Sequence, residues 1–247
     1  MKKLLIFCSA VVVIQAIFLF FPGQNLFLPS PLEVFNAFIG QAQHGELWID
    51  ILMSIKRVIV GFLLAAVAAI PLAILCGYNR RFGNFVKPFV EFLRPIPPIA
   101  WIPIAILLFG LGDRSSYFIV FLGAFFPIFT NAYFGAVSLP VVYKNISESF
   151  EIRKSTFVSR ILFYFALPSI CTGLKIGIGM AWMSVIAAEL IGAQSGLGYF
   201  IQLNRLLLRT DNVVLGMILI GLIGYVLTKS LEVLGEWATP WVSKNKS

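Results

Sequence analysis

Few side chains in this sequence could do covalent chemistry, and their spacing is wrong for it. Ser195 stands between Gln194 and Gly196 in "GAQSGLGYF", a setting in which a hydroxyl could be exposed. A serine nucleophile needs an adjacent base, however, and the single histidine, His44, belongs to a distant polar segment. Cys8, Cys76 and Cys171 each lie alone in apolar sequence, without metal-ligand spacing, and read as buried free thiols. Metal catalysis fails for the same shortage of ligands. No G-x-x-x-x-G-K-[ST] phosphate loop occurs in the chain. The expectation is a chain that is not an enzyme, binds no metal and holds no cofactor of its own.

What remains are polar residues embedded in apolar runs. Glu189 is the one acid well inside such a run, and an acid in lipid marks a functional site by default. It lies close to the end of its segment, so it reads as a gate or an inter-helix hydrogen bond, with direct substrate contact as the alternative. Thr130 and Asn131 follow Pro127, whose ring removes an amide donor and bends a helix. They can satisfy freed carbonyls or line a path. Pro95, Pro97, Pro98 and Pro103 surround Trp101 and make an irregular stretch, tolerated at membrane depth only inside protein or beside a cavity. Pro98 and Trp101 are therefore candidates for a pore wall or hinge, with core packing rather than recognition as the other reading of Trp101 and Trp182.

The elements that must hold these residues follow from composition. Apolar residues are 59% of the 247, charged residues 12%, and phenylalanine alone occurs 24 times. A soluble domain carries about 25% charged residues, so this chain is solvated by lipid. The formal charge of +8 says less about nucleic acid than about which loops carry it. Six apolar segments stand out, about 4–22, 57–78, 96–112, 116–139, 173–193 and 213–233, each near the roughly 20 residues a helix needs to cross a bilayer. They lack strand alternation, so the predicted class is an all-α membrane protein with six transmembrane helices in one domain, 1–247. Residues 4–22 exceed a signal-peptide core and lack its cleavage site, and read as a retained first span.

Lys and Arg orient the spans. With the N-terminus inside, only Lys56, Arg57, Arg114, Arg205 and Arg209 of the 19 basic residues fall outside, a positive-inside bias that places both termini in the cytoplasm of an inner (plasma) membrane protein. The external loop 23–56 holds a short amphipathic helix, with Ser30 as N-cap, Pro31 at the first position and Leu32, Val34, Phe35 and Phe38 on its apolar face, lying along the surface. Gly173, Gly177 and Gly179 permit close helix approach.

One charged stretch interrupts the oil. "NISESFEIRKSTFVSRILFYF", 145–165, reads as a cytoplasmic helix ending at Leu167–Pro168, with Ile146, Phe150, Phe157, Ile161 and Phe165 as its apolar stripe. It could rest on lipid headgroups or seat its apolar knobs in a partner's groove.

Several segments together resemble one family. "LPSPLEVFNAF", "RVIVGFLLAAVAAIPLAILCGY", "LRPIPPIAWIPIAILLFGLGD", "FLGAFFPIFTNAYFGAV", "ALPSICTGLKIGIGMAWMSVIAAELIGAQSGLGYFI" and "RTDNVVLGMILIGLIGYVL" follow, in order, the permease subunits of ATP-binding-cassette importers, in the branch handling nitrate, sulfonates, taurine and bicarbonate. The resemblance implies a type I importer permease fold. It also implies a coupling helix within 145–165, a separate ATPase subunit that hydrolyses ATP, an extracytoplasmic solute-binding protein and a second permease copy forming a homodimer in the lipid bilayer, with no nucleic acid. The family pattern there is Glu-Ala-Ala, then a glycine, then Leu-Pro. Glu148 matches, Ser149 and Phe150 replace the alanines, and Lys154 or Ser155 stands where the glycine is expected. Glu148, Ser149, Phe150, Glu151, Arg153, Lys154 and Ser155 are the implied docking residues. The implied function is inward movement of a small anionic solute. An ion-coupled secondary transporter using Glu189, and a non-transporting scaffold, are the rival readings.

Overall fold

The structure is a computed structural model that describes residues 29–243. The expected first span, 4–22, and Cys8 lie outside the described residues. Helix α1 (Pro31–His44) begins as its sequence predicts. The Glu33 amide donates to the Ser30 hydroxyl, the Ser30 amide donates to the Glu33 carboxylate, and Pro31 occupies the first position. The predicted apolar face is divided: Val34 is buried and Leu32 and Phe35 are exposed.

Gly45, at φ 79°, turns the chain through the left-handed region open to glycine. Helix α2 (Glu46–Tyr78) then runs for 33 residues. The expected external loop 23–56 is therefore too long, because residues 46–56 already belong to this helix. Leu47, Ser54, Arg57 and Val58 share its buried side, and the polar ones find partners within the protein, so polarity there does not end the span.

Asn79 caps α3 (Arg80–Leu93), its side-chain oxygen accepting from the amides of Arg81 and Phe82. A tight turn at Pro98–Trp101 and α4 (Ile102–Phe109) follow. The expected crossing at 96–112 is thus not a straight helix. Four prolines deny it amide donors, its α-helical part is eight residues, or about 12 Å, and it meets α3 at 88°.

Helix α5 (Asp113–Val137) leads to α6 (Val141–Ser149) and the single turn α7 (Lys154–Thr156). A π-helical turn, Phe157–Leu162, joins directly to α8 (Phe163–Gly192). The last helices are α9 (Leu197–Leu206), α10 (Thr210–Ala238) and α11 (Pro240–Ser243). Among the described residues, α2, α5, the stretch Lys154–Gly192 and α10 are long and apolar enough to cross a membrane, and the bent α3–α4 pair would make a fifth crossing.

The core is the contact of α5 with α8 on one side and α2 on the other. Small residues set its spacing. A Cβ at Gly61 would lie 2.6 Å from Val120, and one at Gly177 would lie 2.8 Å from Ile128, so these backbones approach as closely as bare glycine allows. Gly173 likewise abuts Asn131, whereas Gly179 faces open space and takes no part in the close packing predicted for it. Helix α10 buries only Asn212, Leu215 and Gly216, leaving Met217, Leu222 and Tyr225 exposed, a surface suited to lipid rather than water.

The charged segment 145–165 is not one helix. It breaks at Phe150–Arg153, where Glu151 adopts φ +50°, and the second part runs straight into α8, passing through Pro168 instead of stopping there. The π turn explains the register. Ile170, Ala166 and Leu162 are buried at four-residue steps, but the next buried residue is Phe157, not Val158, because the wide turn accommodates one extra residue. Deleting exposed Ser159 is expected to convert this turn to α-helix and keep the stripe, costing less than about 1 kcal/mol. Deleting Ser169 would rotate the preceding residues by about 100° and should prevent folding. Thermal unfolding of the two purified deletions compares them.

Candidate functional site

Two ends of the bundle carry the polar residues. At one, Glu189 near the end of α8 is 1% exposed. Its Oε1 accepts from Ser54 Oγ at 2.9 Å and from Arg57 Nη1 at 2.8 Å. Its Oε2 accepts from the Gly198 amide at 3.0 Å, and Ser54 Oγ lies 2.8 Å away. Arg57, 2% exposed, donates from Nε to Asp113 Oδ1 at 2.8 Å, from Nη1 to the Ser195 carbonyl at 2.6 Å and from Nη2 to Ser195 Oγ at 2.9 Å. Asp50 Oδ1 accepts the Gly196 amide at 2.7 Å, and Ser54 Oγ accepts the Leu197 amide at 2.9 Å. One guanidinium thereby ties α2 to the first turn of α5, the end of α8 and the loop 193–196.

That loop fits only because its glycines are bare. Gly196 turns at φ +108°, and a Cβ there would collide with the Glu189 carboxylate. Gly198 is helical, but a Cβ on it would lie 2.6 Å from Glu189 Cβ. Charges this buried persist only when paired and hydrogen-bonded, and here both are. Glu189 therefore hydrogen-bonds to α2 and α9, and both its oxygens are occupied. Reading Arg57 as an external loop cation missed this network. The available signal was its place on the small-residue stripe of α2, three residues after Ser54 and four before Gly61.

The other end holds α6. Val142 and Ile146 of α6 and Phe150 at its C-cap recur every four residues and are all exposed, Phe150 by 76%, so among the described residues they form an apolar row with nothing packed on it. Phe157 turns inward instead, which splits the predicted stripe. Glu148 reaches Lys144 at 4.0 Å across solvent, and Ser149 Oγ donates to the Asn145 carbonyl at 3.0 Å. Lys154 and Ser155 start the next helix, exposed, after Arg153 at φ −55° and ψ 135°. The left-handed turn that a glycine would make is taken by Glu151, not by Lys154 or Ser155. A non-glycine residue there costs about 1–2 kcal/mol. Glu151→Gly is accordingly expected to stabilise the chain by up to about 1 kcal/mol, the greater freedom of unfolded glycine offsetting part of the relief. The thermal midpoint in detergent measures it.

The remaining candidates are dispersed. Asn131 Nδ2 donates to the Pro127 carbonyl at 2.8 Å, rather than to the Gly123 carbonyl that the proline ring leaves without its donor. Thr130 lines a 60 Å³ recess with Lys87, Glu91 and Arg94. Pro98 and Trp101 sit at the start of α4, and Trp101 packs against Ile102, Ala105, Ile119 and Ala188 with its indole N–H buried and unbonded. Among the described residues, the recess lined by Thr130 includes neither Glu189 nor Trp101.

Long apolar helices, a buried ion network at one end and a short amphipathic helix at the other define a polytopic membrane protein. The chain belongs to the family of binding-protein-dependent transport system inner membrane components, whose pattern matches residues 69–244. It is a permease subunit of an ATP-binding-cassette importer. An ABC transporter permease of Methanocaldococcus jannaschii is 40% identical over 93% of this chain and 88% of its own length. The nitrate import permease NrtB of Synechocystis is 36% identical, covering 88% of this chain and 82% of that protein. The taurine permease TauC of Escherichia coli is 32% identical, covering 87% and 80%. Among solved structures, an inward-facing form of the MetNI methionine ABC transporter superposes with TM-score 0.71 over 80% of this chain and 98% of that one. At 16% identity it shows a shared fold, in agreement with the all-helical importer-permease class read from the sequence.

Proposed function

We propose that this chain is one half of a homodimeric permease that moves a small oxyanion of the nitrate, sulfonate or bicarbonate kind into the cell. A separate ATPase subunit seats the apolar row of α6, and a solute-binding protein delivers the anion at the Glu189 end. On this reading α6 and both termini face the cytoplasm. The carrying observation is the family match from 69 to 244, which includes α6 and its exposed Val142, Ile146 and Phe150. The anionic substrate class is supported by relatives named for nitrate and taurine transport.

Movement would be alternation between two arrangements of the helix bundles, biased by closure of the ATPases. The α2–α5–α8 core, locked by Arg57, suits a body that rocks as a unit. The ion-coupled alternative needs a Glu189 free to exchange a proton with a pathway, whereas its oxygens are held by Arg57, Ser54 and Gly198.

Reconstitution into vesicles with the ATPase and the binding protein tests the proposal. Uptake of radiolabelled substrate should require ATP and the binding protein. Uptake driven by a proton gradient without ATP would overturn it.

A further inference from the structure

At the Lys144 end, a cavity of about 880 Å³ opens between the last turns of α2 and α5, the beginnings of α3 and α6, and the π turn. Among the described residues Arg80, Arg81 and Lys144 line it, and no acidic side chain does. Among the described residues neither arginine has an ion-pair partner. Lys144 has only the solvent-exposed contact with Glu148 at 4.0 Å, a kind of pair worth about 0–1 kcal/mol. Asn79 and Asn84 add amide groups to the lining. The carbonyl oxygen of Asn79 is already used by the Arg81 and Phe82 amides, which leaves its NH₂ as a donor.

The carbonyl ends of α2 and α5 oppose an anion here, each with roughly half a negative charge. Three full positive charges outweigh them. A bias of basic residues toward one membrane face accounts for their number, but not for a recess whose charged groups are all cations. The cavity is also shaped on purpose by the backbone: the π turn places both Phe157 and Leu162 in its wall.

We propose that this cavity, framed by Arg80, Arg81 and Lys144, is an oxyanion-binding site. Its occupant is a sulfate-, nitrate- or phosphate-like group, either free in solution or carried on an anionic lipid headgroup. The location is separate from the Glu189 network, at the α6 end of the bundle. Only the identity of the natural anion rests on the permease reading above.

The test uses the full chain assembled with its ATPase in lipid nanodiscs, with Cys8, Cys76 and Cys171 replaced by alanine and Asn84→Cys as the reporter. The rate of N-ethylmaleimide labelling is followed against sulfate concentration, with gluconate holding ionic strength constant. In phosphatidylcholine discs, sulfate should slow labelling saturably. The triple variant Arg80→Gln, Arg81→Gln, Lys144→Gln should raise the half-protecting concentration at least about tenfold, as expected for loss of charge-assisted hydrogen bonds. Arg80→Lys with Arg81→Lys should retain part of the protection. If phosphatidylglycerol discs alone slow labelling, and the triple variant abolishes that effect, a lipid headgroup is the source of the oxyanion. Labelling that ignores both sulfate and lipid, or protection undiminished in the triple variant, overturns the proposal. Size-exclusion elution of each variant confirms its assembly, and ATP-driven uptake, measured separately, reports on the permease reading without deciding this one.

Discussion

Arg57→Met is expected to destabilise the protein by about 3–5 kcal/mol, the cost of leaving a buried ion without its counterpart. The loss arises less from the attraction removed than from what remains: Glu189, 1% exposed, would keep only Ser54 and the Gly198 amide, and Asp113 only Lys56 at 3.5 Å. The Ser195 carbonyl and hydroxyl would also lose their donor. Pairing Arg57→Met with Glu189→Met should recover much of the loss, because two well-packed apolar side chains need no desolvated charge. Thermal unfolding of the single and double variants in detergent completes the cycle. Strictly additive effects, with no recovery in the double variant, would mean the pair is not the source of the stability.

Phe150→Asp should have the largest effect on transport, with folding little changed. The residue is 76% exposed at the end of α6, so the isolated subunit gains nothing from the ring. Seating it in a partner's groove would contribute about 1.5–3 kcal/mol of apolar burial, and a buried unpaired carboxylate would cost more than that is worth. ATP-driven uptake in reconstituted vesicles should fall at least about tenfold while the ATPase keeps its basal hydrolysis. Unchanged uptake would remove α6 from the docking surface. Glu151→Gly offers a contrast, because it changes the turn behind α6 without altering the apolar row.

The membrane class, the α-helical spans and the kind of transporter were legible in the sequence because each rests on local composition or on motifs in order. The capping box at Ser30 and Glu33 was legible for the same reason. Proline-induced irregularity around Trp101 was also visible, although its outcome, an 88° meeting of α3 and α4, was not. Two boundaries failed. Helix α2 begins at Glu46, because tertiary partners satisfy Asp50, Ser54 and Arg57, whose polarity suggested a loop. Helix α8 continues through Pro168, where the sequence alone suggested a stop.

What the sequence determined by itself is that the chain is lipid-solvated and belongs to an importer, since hydropathy and family motifs are properties of neighbouring residues. Only the tertiary structure decided that Arg57, apparently a surface cation, is the center of a buried network, and that Arg80, Arg81 and Lys144 share a recess. The physical reason is that a charge's role depends on what encloses it. Desolvation and hydrogen-bond partners come from Asp113, Glu189 and Ser195, residues far away along the chain that meet Arg57 only when α2, α5 and α8 pack.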